Sequence, residues 1–199
     1  TAGSVEIIRW AKARGINVTA EVTPHHLLLT DELVESYDPI FKVNPPLRTR
    51  EDVTALRAAL VDGTIDIVAT DHAPHPKESK ECEWNEAANG MLGLETALSV
   101  IQESIIETKL TNWETVAARM SYKPAEIGRI TEHGSELKVG ARANLILVDT
   151  AIRRKVGEIK SVSKSSNNPY ASLTLPGRVM YTFLHGQPIV SRGELVQPL

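Results

Sequence analysis

The sequence predicts a parallel α/β unit with a small β module at its C-terminal end. Helical and strand-like segments alternate through the first part of the chain, as they do in parallel α/β folds. A short apolar run at 65–69 opens into a long polar stretch, 70–90, and loops of that length inside a compact domain are usually functional. After about residue 134 the texture changes to short strands separated by glycines.

The elements follow in order. Residues 3–14 (GSVEIIRWAKAR) read as a helix, with Ser4 as the N-cap, Val5, Ile8 and Ala11 or Lys12 keeping the period, and Gly15 as the stop. Residues 16–22 (INVTAEV) alternate and are rich in β-branched side chains, which suits a strand. TPHHLLLTDELVESYDP reads as a loop with a short helix. A second helix is expected near 50–62, amphipathic through Val53, Leu56, Ala59 and Leu60 and ended by Gly63. Residues 65–69 (IDIVA) fit a buried strand. Beyond the polar stretch, helices are expected near 93–107 and 112–121, with Pro124 opening a short segment that ends at Gly128. ELKVGARANLILVDT, GRVMYTFLHG and QPIVSRGELV supply the strands of the β module, and the Ser/Lys run at 161–166 reads as a mobile loop.

Composition narrows the function classes. The 199 residues are 42% hydrophobic and 24% charged, ordinary for a soluble globular protein. No apolar run approaches the ~18 residues of a membrane span. A net charge of −3 without a polybasic block gives no reason to expect a nucleic-acid partner. Cys82 is the only cysteine, so neither a disulfide framework nor a thiolate zinc site can be built. The expectation is a reduced, cytoplasmic enzyme-like protein. The opening Thr-Ala-Gly-Ser runs straight into helical periodicity, which suggests part of a longer protein.

The chemistry concentrates in three segments. In IDIVATDHAPH, an apolar strand ends in Asp71, His72 and His75, and strand C-terminal tips are where α/β barrels keep catalytic groups. An Asp there can bind a metal through one oxygen while the other handles a proton. His75, just past a proline, is expected to point back to the same mouth. An N-cap aspartate followed by surface histidines would leave the same letters, but the strand before and the long loop after favour a site. In KVNPPLR, two prolines stiffen a loop on which Asn44 offers an amide donor and acceptor. In isolation that pattern is more often a plain turn. In TPHHLLLT, neighbours in an extended segment point opposite ways, so at most one of His25 and His26 is expected to face a given site.

TPHHLLLT, NPPLR, ATDHAPH and GLETA, in this order and at these separations, resemble the class I dihydroorotases of the amidohydrolase superfamily. VGARANLILVD and the NNPY and PGRVMYTFLHGQPIV tail resemble the superfamily's C-terminal composite domain, so the likeness covers essentially the whole chain. The resemblance implies the C-terminal part of a (β/α)8 TIM barrel, about its last two strands and their helices, over 1–133. It implies part of a small β-rich composite domain over 134–199. One or two zinc ions would sit at the barrel mouth, held by a His-x-His pair, an Asp or modified Lys, two further His and the eighth-strand Asp. Asp71 matches that last ligand, and the others would lie upstream of Thr1. Asn44, His75, Asn89 and Gly90 match substrate-contacting positions: His75 would meet the substrate carboxylate, and the Asn89-Gly90 backbone the ring.

The implied reaction is the reversible cyclisation of N-carbamoyl-L-aspartate to L-dihydroorotate in pyrimidine biosynthesis, with Asp71 as acid–base residue. The implied partners are the small-molecule substrate, the missing N-terminal part, and further copies or aspartate transcarbamoylase. Dihydropyrimidinase or hydantoinase and allantoinase are the nearest alternatives. The second histidine of Asp-His-Ala-Pro-His favours a carboxylated substrate over theirs. A non-catalytic scaffold subunit is a further alternative, against which the retained Asp71 and His75 argue.

Overall fold

The structure is a computed structural model and describes residues 1–196. Helix α1 (Ala2–Ala13) buries Val5 and packs on a later helix, Arg50–Asp62. Its N-cap is Thr1 rather than Ser4: the Thr1 hydroxyl accepts from the Ser4 amide, so the helix begins earlier than its periodicity suggests.

The predicted strand at 16–22 shortens to β1 (Glu21–Val22), and that at 65–69 to β2 (Ile67–Val68). They pair in parallel, Glu21 opposite Ile67 and Val22 opposite Val68. The ladder stops at Ala20 because the Asp66 carboxylate takes its N–H at 2.8 Å, in place of a backbone carbonyl. The same carboxylate holds Lys12 Nζ at 2.7 Å, tying the end of α1 to the start of β2.

Between the strands lie α2 (Pro24–Leu28), an irregular stretch with two 3-10 turns, and α3 (Arg50–Asp62). Thr49 caps α3, Glu51 and Asp52 sit in its first turn, and Gly63 ends it in the left-handed region at φ 88°. Val53, Leu56, Ala59 and Leu60 are its buried stripe, as the sequence predicts.

After β2 the chain is irregular through residue 96 apart from one 3-10 turn, Lys77–Ser79. The helix expected from 93 starts four residues later as α4 (Ala97–Ile101). The Gly93 and Leu94 amides, which would have opened it, instead donate to His72 Nδ1 at 3.2 Å each. The helix then widens into a π turn, Gln102–Ile106. α5 (Trp113–Ala117), capped by Asn112, runs through a π turn (Ala118–Tyr122) into α6 (Lys123–Ile127). The short segment expected from Pro124 to Gly128 is α6, with Pro124 in its first turn and Gly128 at its C-cap, continuous with α5. The wider turn before the proline accommodates a ring and a missing N–H that would break an ordinary helix interior.

The β module is an antiparallel sheet in the order β3 (Leu145–Lys155), β4 (Thr174–Leu184), β5 (Gln187–Ser191), β6 (Glu194–Leu195). Residues 136–144, expected to belong to the first strand, lie outside it. The Ser/Lys run expected to be mobile is pinned at its start by Glu95, whose carboxylate accepts from Ser161 Oγ at 2.7 Å and from the Val162 and Ser163 amides. Burial pushes the Glu95 carboxyl up, but these donors outweigh it and hold the group below its ordinary value.

Two apolar clusters hold the molecule together. One joins Val5 of α1, Val22, Leu27, the buried face of α3, Val68 and Ile101. The other joins Leu29, Val43, Leu47, Met91 and Val100 to Val156, Tyr170 and Leu175, so the module is sealed onto the α/β part. Tyr170 is fully buried there, and its phenol is pushed above its ordinary value by that burial.

Candidate active site at the tip of the parallel strands

Asp71 leaves the end of β2 with φ 47°, in the left-handed region that aspartate tolerates better than most residues. Non-glycine residues held there cluster at functional sites. Its side chain is 46% exposed, and His25 Nε2 approaches Oδ2 at 3.9 Å, just beyond hydrogen-bonding range.

His25 and His26 both lie on α2, where Thr23 as N-cap and Pro24 in the first turn fix a single helical turn. The segment is therefore not extended, and the two rings sit 4.6 Å apart. Their surroundings nevertheless differ, as expected of the pair. His26 Nδ1 lies 2.7 Å from Thr23 Oγ1, and its Nε2 lies 3.1 Å from the Pro46 carbonyl and 3.2 Å from that of Pro45. These partners assign Nε2 as donor and Nδ1 as acceptor, and the ring ties α2 to the Asn44–Pro46 loop. His25 is fully buried and turns toward Asp71, with neither ring nitrogen hydrogen-bonded among the described residues. Burial, aided by His26, pushes its pKa down to about 3, so the ring is neutral.

His75, Asn89 and Gly90 form a second group. His75 Nε2 meets the Asn89 carbonyl at 2.9 Å, and its backbone N–H donates to Asn167 Oδ1 at 3.2 Å. Gly90 is buried at φ 134°, where a Cβ would come within 2.6 Å of Ala73 Cβ and 2.8 Å of His75 Nε2. Gly90→Ala is therefore expected to displace the His75 ring and raise KM about tenfold or more with a smaller change in kcat; steady-state kinetics of the intact protein would check it. Asn44 stands exposed on its proline-stiffened loop, between buried Val43 and Leu47. No hydrogen bond joins it to the other groups among the described residues. A cleft of about 170 Å³ opens beside His75, walled also by Lys80 and Asn167, and Asp71 is not among its walls.

Three residues here escaped the sequence reading. His25 was one of an undecided pair. Lys80, within the charge-rich loop, is buried; its Nζ donates to the carbonyls of Lys42, Ala88 and Gly90. Asn167 is buried too, and donates to the Ala73 and Gly90 carbonyls at 2.8 and 3.3 Å, while its own carbonyl accepts from Leu92. The one available signal was the Asn-Asn-Pro-Tyr turn that follows the Ser/Lys run. His72 turns out to be structural, its Nδ1 occupied by the Gly93 and Leu94 amides.

A metal is compatible with one side of this arrangement. Asp71 offers a half-exposed carboxylate at a strand tip, backed by a buried imidazole whose nitrogens have no hydrogen-bond partner among the described residues. Among the described residues no group of three or more His, Cys, Asp or Glu side chains is placed to hold an ion, so these residues fit a shared site rather than a complete one.

Comparison with known proteins gives this geometry its context. Residues 2–189 match the model of the Amidohydrolase family. The chain is 64% identical over 195 residues to the dihydroorotase of Streptomyces coelicolor, covering 98% of this chain and 46% of that protein. It is 58% identical over 197 residues to the dihydroorotase of Leifsonia xyli subsp. xyli, covering 99% and 45%. The L-hydantoinase (dihydropyrimidinase) of Arthrobacter aurescens superimposes with a TM-score of 0.88 at 31% identity, over 98% of this chain and 44% of that one. The chain thus spans less than half the length of the curated relatives it matches.

Proposed function

We propose that this chain, which belongs to the amidohydrolase family, is the C-terminal part of a zinc-dependent dihydroorotase. In this reading residues 1–133 are the closing portion of a (β/α)8 barrel and 134–199 belong to the small β domain. Asp71 carries the proposal: a carboxylate at the C-terminal tip of a parallel strand, in a left-handed backbone conformation and open on one side. Identity of 64% to a dihydroorotase supports the choice of reaction.

When bound, zinc would supply a Lewis acid that polarises the substrate carbonyl and lowers the pKa of water toward about 7. Asp71 would contribute one ligand, and the remainder would come from the part of the relatives that this chain does not span. Asp71 takes the proton of the attacking water and returns it to the leaving amide nitrogen as the dihydroorotate ring opens; in the direction of synthesis it removes the proton of the ureido nitrogen. Asn44 presents its amide to the ring's imide edge, His75 pairs with the substrate carboxylate, and the Asn89-Gly90 backbone flanks the ring. Binding of the carboxylate by His75 separates dihydroorotate from uncharged cyclic ureides.

The likeness to an L-hydantoinase favours one second reading, a hydantoinase or dihydropyrimidinase. The intact protein, assayed beside zinc analysis, is expected to hydrolyse L-dihydroorotate, to lose that activity on chelation and to regain it with zinc. Turnover of hydantoin without dihydroorotate would reverse the choice. Turnover of neither by zinc-loaded protein would leave a non-catalytic scaffold.

A further inference from the structure

His25 is the anomaly of the site. Burying a polar group without a partner costs free energy, and most such groups in folded proteins are paired. His26, next in the chain and on the same turn, follows that rule at both nitrogens. His25 is less exposed than His26, 0% against 8%, and among the described residues follows it at neither. Its ring is held there firmly: Thr23 caps the turn, Pro24 stiffens it, and Leu27 beside it is fully buried in the main core. The charged group it faces is Asp71, with Nε2 at 3.9 Å from Oδ2.

We infer that His25 is a positioning residue for Asp71, its Nε2–H holding Oδ2 so that Oδ1 faces the reacting centre. This rests on the reading of Asp71 as acid–base residue and metal ligand. A closure of about 1 Å makes the hydrogen bond, and such bonds are often long before substrate and metal are in place. With the proton on Nε2, what remains buried at Nδ1 is a lone pair, a lesser penalty than an orphaned N–H. The left-handed backbone of Asp71 gives the interaction its purpose. Half-exposed on a backbone at φ 47°, the carboxylate is otherwise free to turn, and a fixed N–H donor beside it selects one rotamer.

The test uses the intact protein, loaded with zinc for kinetics and with cobalt(II) for spectroscopy. Gln places an N–H near the position of Nε2, whereas Leu fills volume without a donor. His25→Leu is expected to lower kcat about 10–100-fold with KM little changed, and to shift the visible cobalt bands. His25→Gln is expected to recover most of the kcat and the native spectrum. Should the Leu variant not fold, His25→Asn replaces it, because its shorter amide lies where Nδ1 was and cannot reach Oδ2. Native kcat and spectrum in His25→Leu would overturn the assignment. So would equal losses in the donor and non-donor variants, which would mean packing or direct ligation instead. Asp71→Asn is the control: if that variant is inactive while His25→Leu is normal, the positioning role alone fails, and if it turns over normally the reading of Asp71 fails first.

Discussion

Replacing Asp71 by asparagine is expected to lower kcat by about 10²–10⁴-fold, the usual worth of a positioned acid–base group. Asparagine is the informative choice because it is nearly isosteric and, like aspartate, is at home in the left-handed region. The backbone at φ 47° is thus preserved, and what is lost is chemical: an oxygen that takes up a proton and a negative charge that attracts a metal. KM is expected to move far less than kcat, and bound zinc to fall. Steady-state kinetics with metal analysis separates these effects, and near-normal turnover would remove Asp71 from the centre of the mechanism. Alanine would confound the result, since it adds backbone strain at a position where few residues are comfortable.

Replacing Lys80 by methionine is expected to have the second largest effect, on order rather than on chemistry. Lys80 is only 7% exposed, yet among the described residues no carboxylate lies close enough to form an ion pair with it. Its ammonium is held by the carbonyls of Lys42, Ala88 and Gly90 at 3.2, 2.9 and 2.9 Å. Lys42 does the same alongside, donating to the carbonyls of Trp84, Asn85 and Ala87. Burial, and then the neighbouring Lys42 charge, push the Lys80 pKa below its ordinary value. Methionine retains the stem's bulk but takes the ammonium from three carbonyls: those of Lys42 and Gly90 keep the Gly90 amide and the Asn167 side chain as donors, whereas that of Ala88 keeps none among the described residues. At about 1.5–3 kcal/mol per charge-assisted hydrogen bond, and allowing for relaxation toward water, a loss of about 3 kcal/mol is expected. It should be local: faster hydrogen exchange at the amides of Ala88 and Gly90, which bond to Ser79 and Lys42, and a raised KM through Gly90 and His75. Unchanged exchange there would mean that the staple does not order the loop.

What was legible in the sequence was what local rules govern. α3 carries its cap, its first-turn acids, its apolar stripe and its terminal glycine within one stretch, and every one of these signals agrees. The strand-tip position of Asp71 was legible for a similar reason, as an acid at the abrupt end of an apolar run. Where the reading went wrong, a distant partner had overruled the local signal. The Asp66 carboxylate cut short the strand at 16–22, and His72 took the amides that would have begun a helix at 93. Lys80 and Asn167 were invisible on the same grounds. A lysine among charges and an asparagine in a turn ordinarily face water, and only the folded chain brings carbonyls from elsewhere to meet them.

The Asn167 contacts bind two fates together. One side chain from the module's linker holds Ala73 and Gly90 on opposite arms of the loop, while Tyr170 and Leu175 anchor that linker in the apolar cluster shared with Met91. Opening the module therefore frees the loop, and the two behave as one cooperative unit. Linkage of this kind is reciprocal. Whatever occupies the loop strengthens a sheet it never touches, and whatever steadies that sheet sharpens the loop's grip in return.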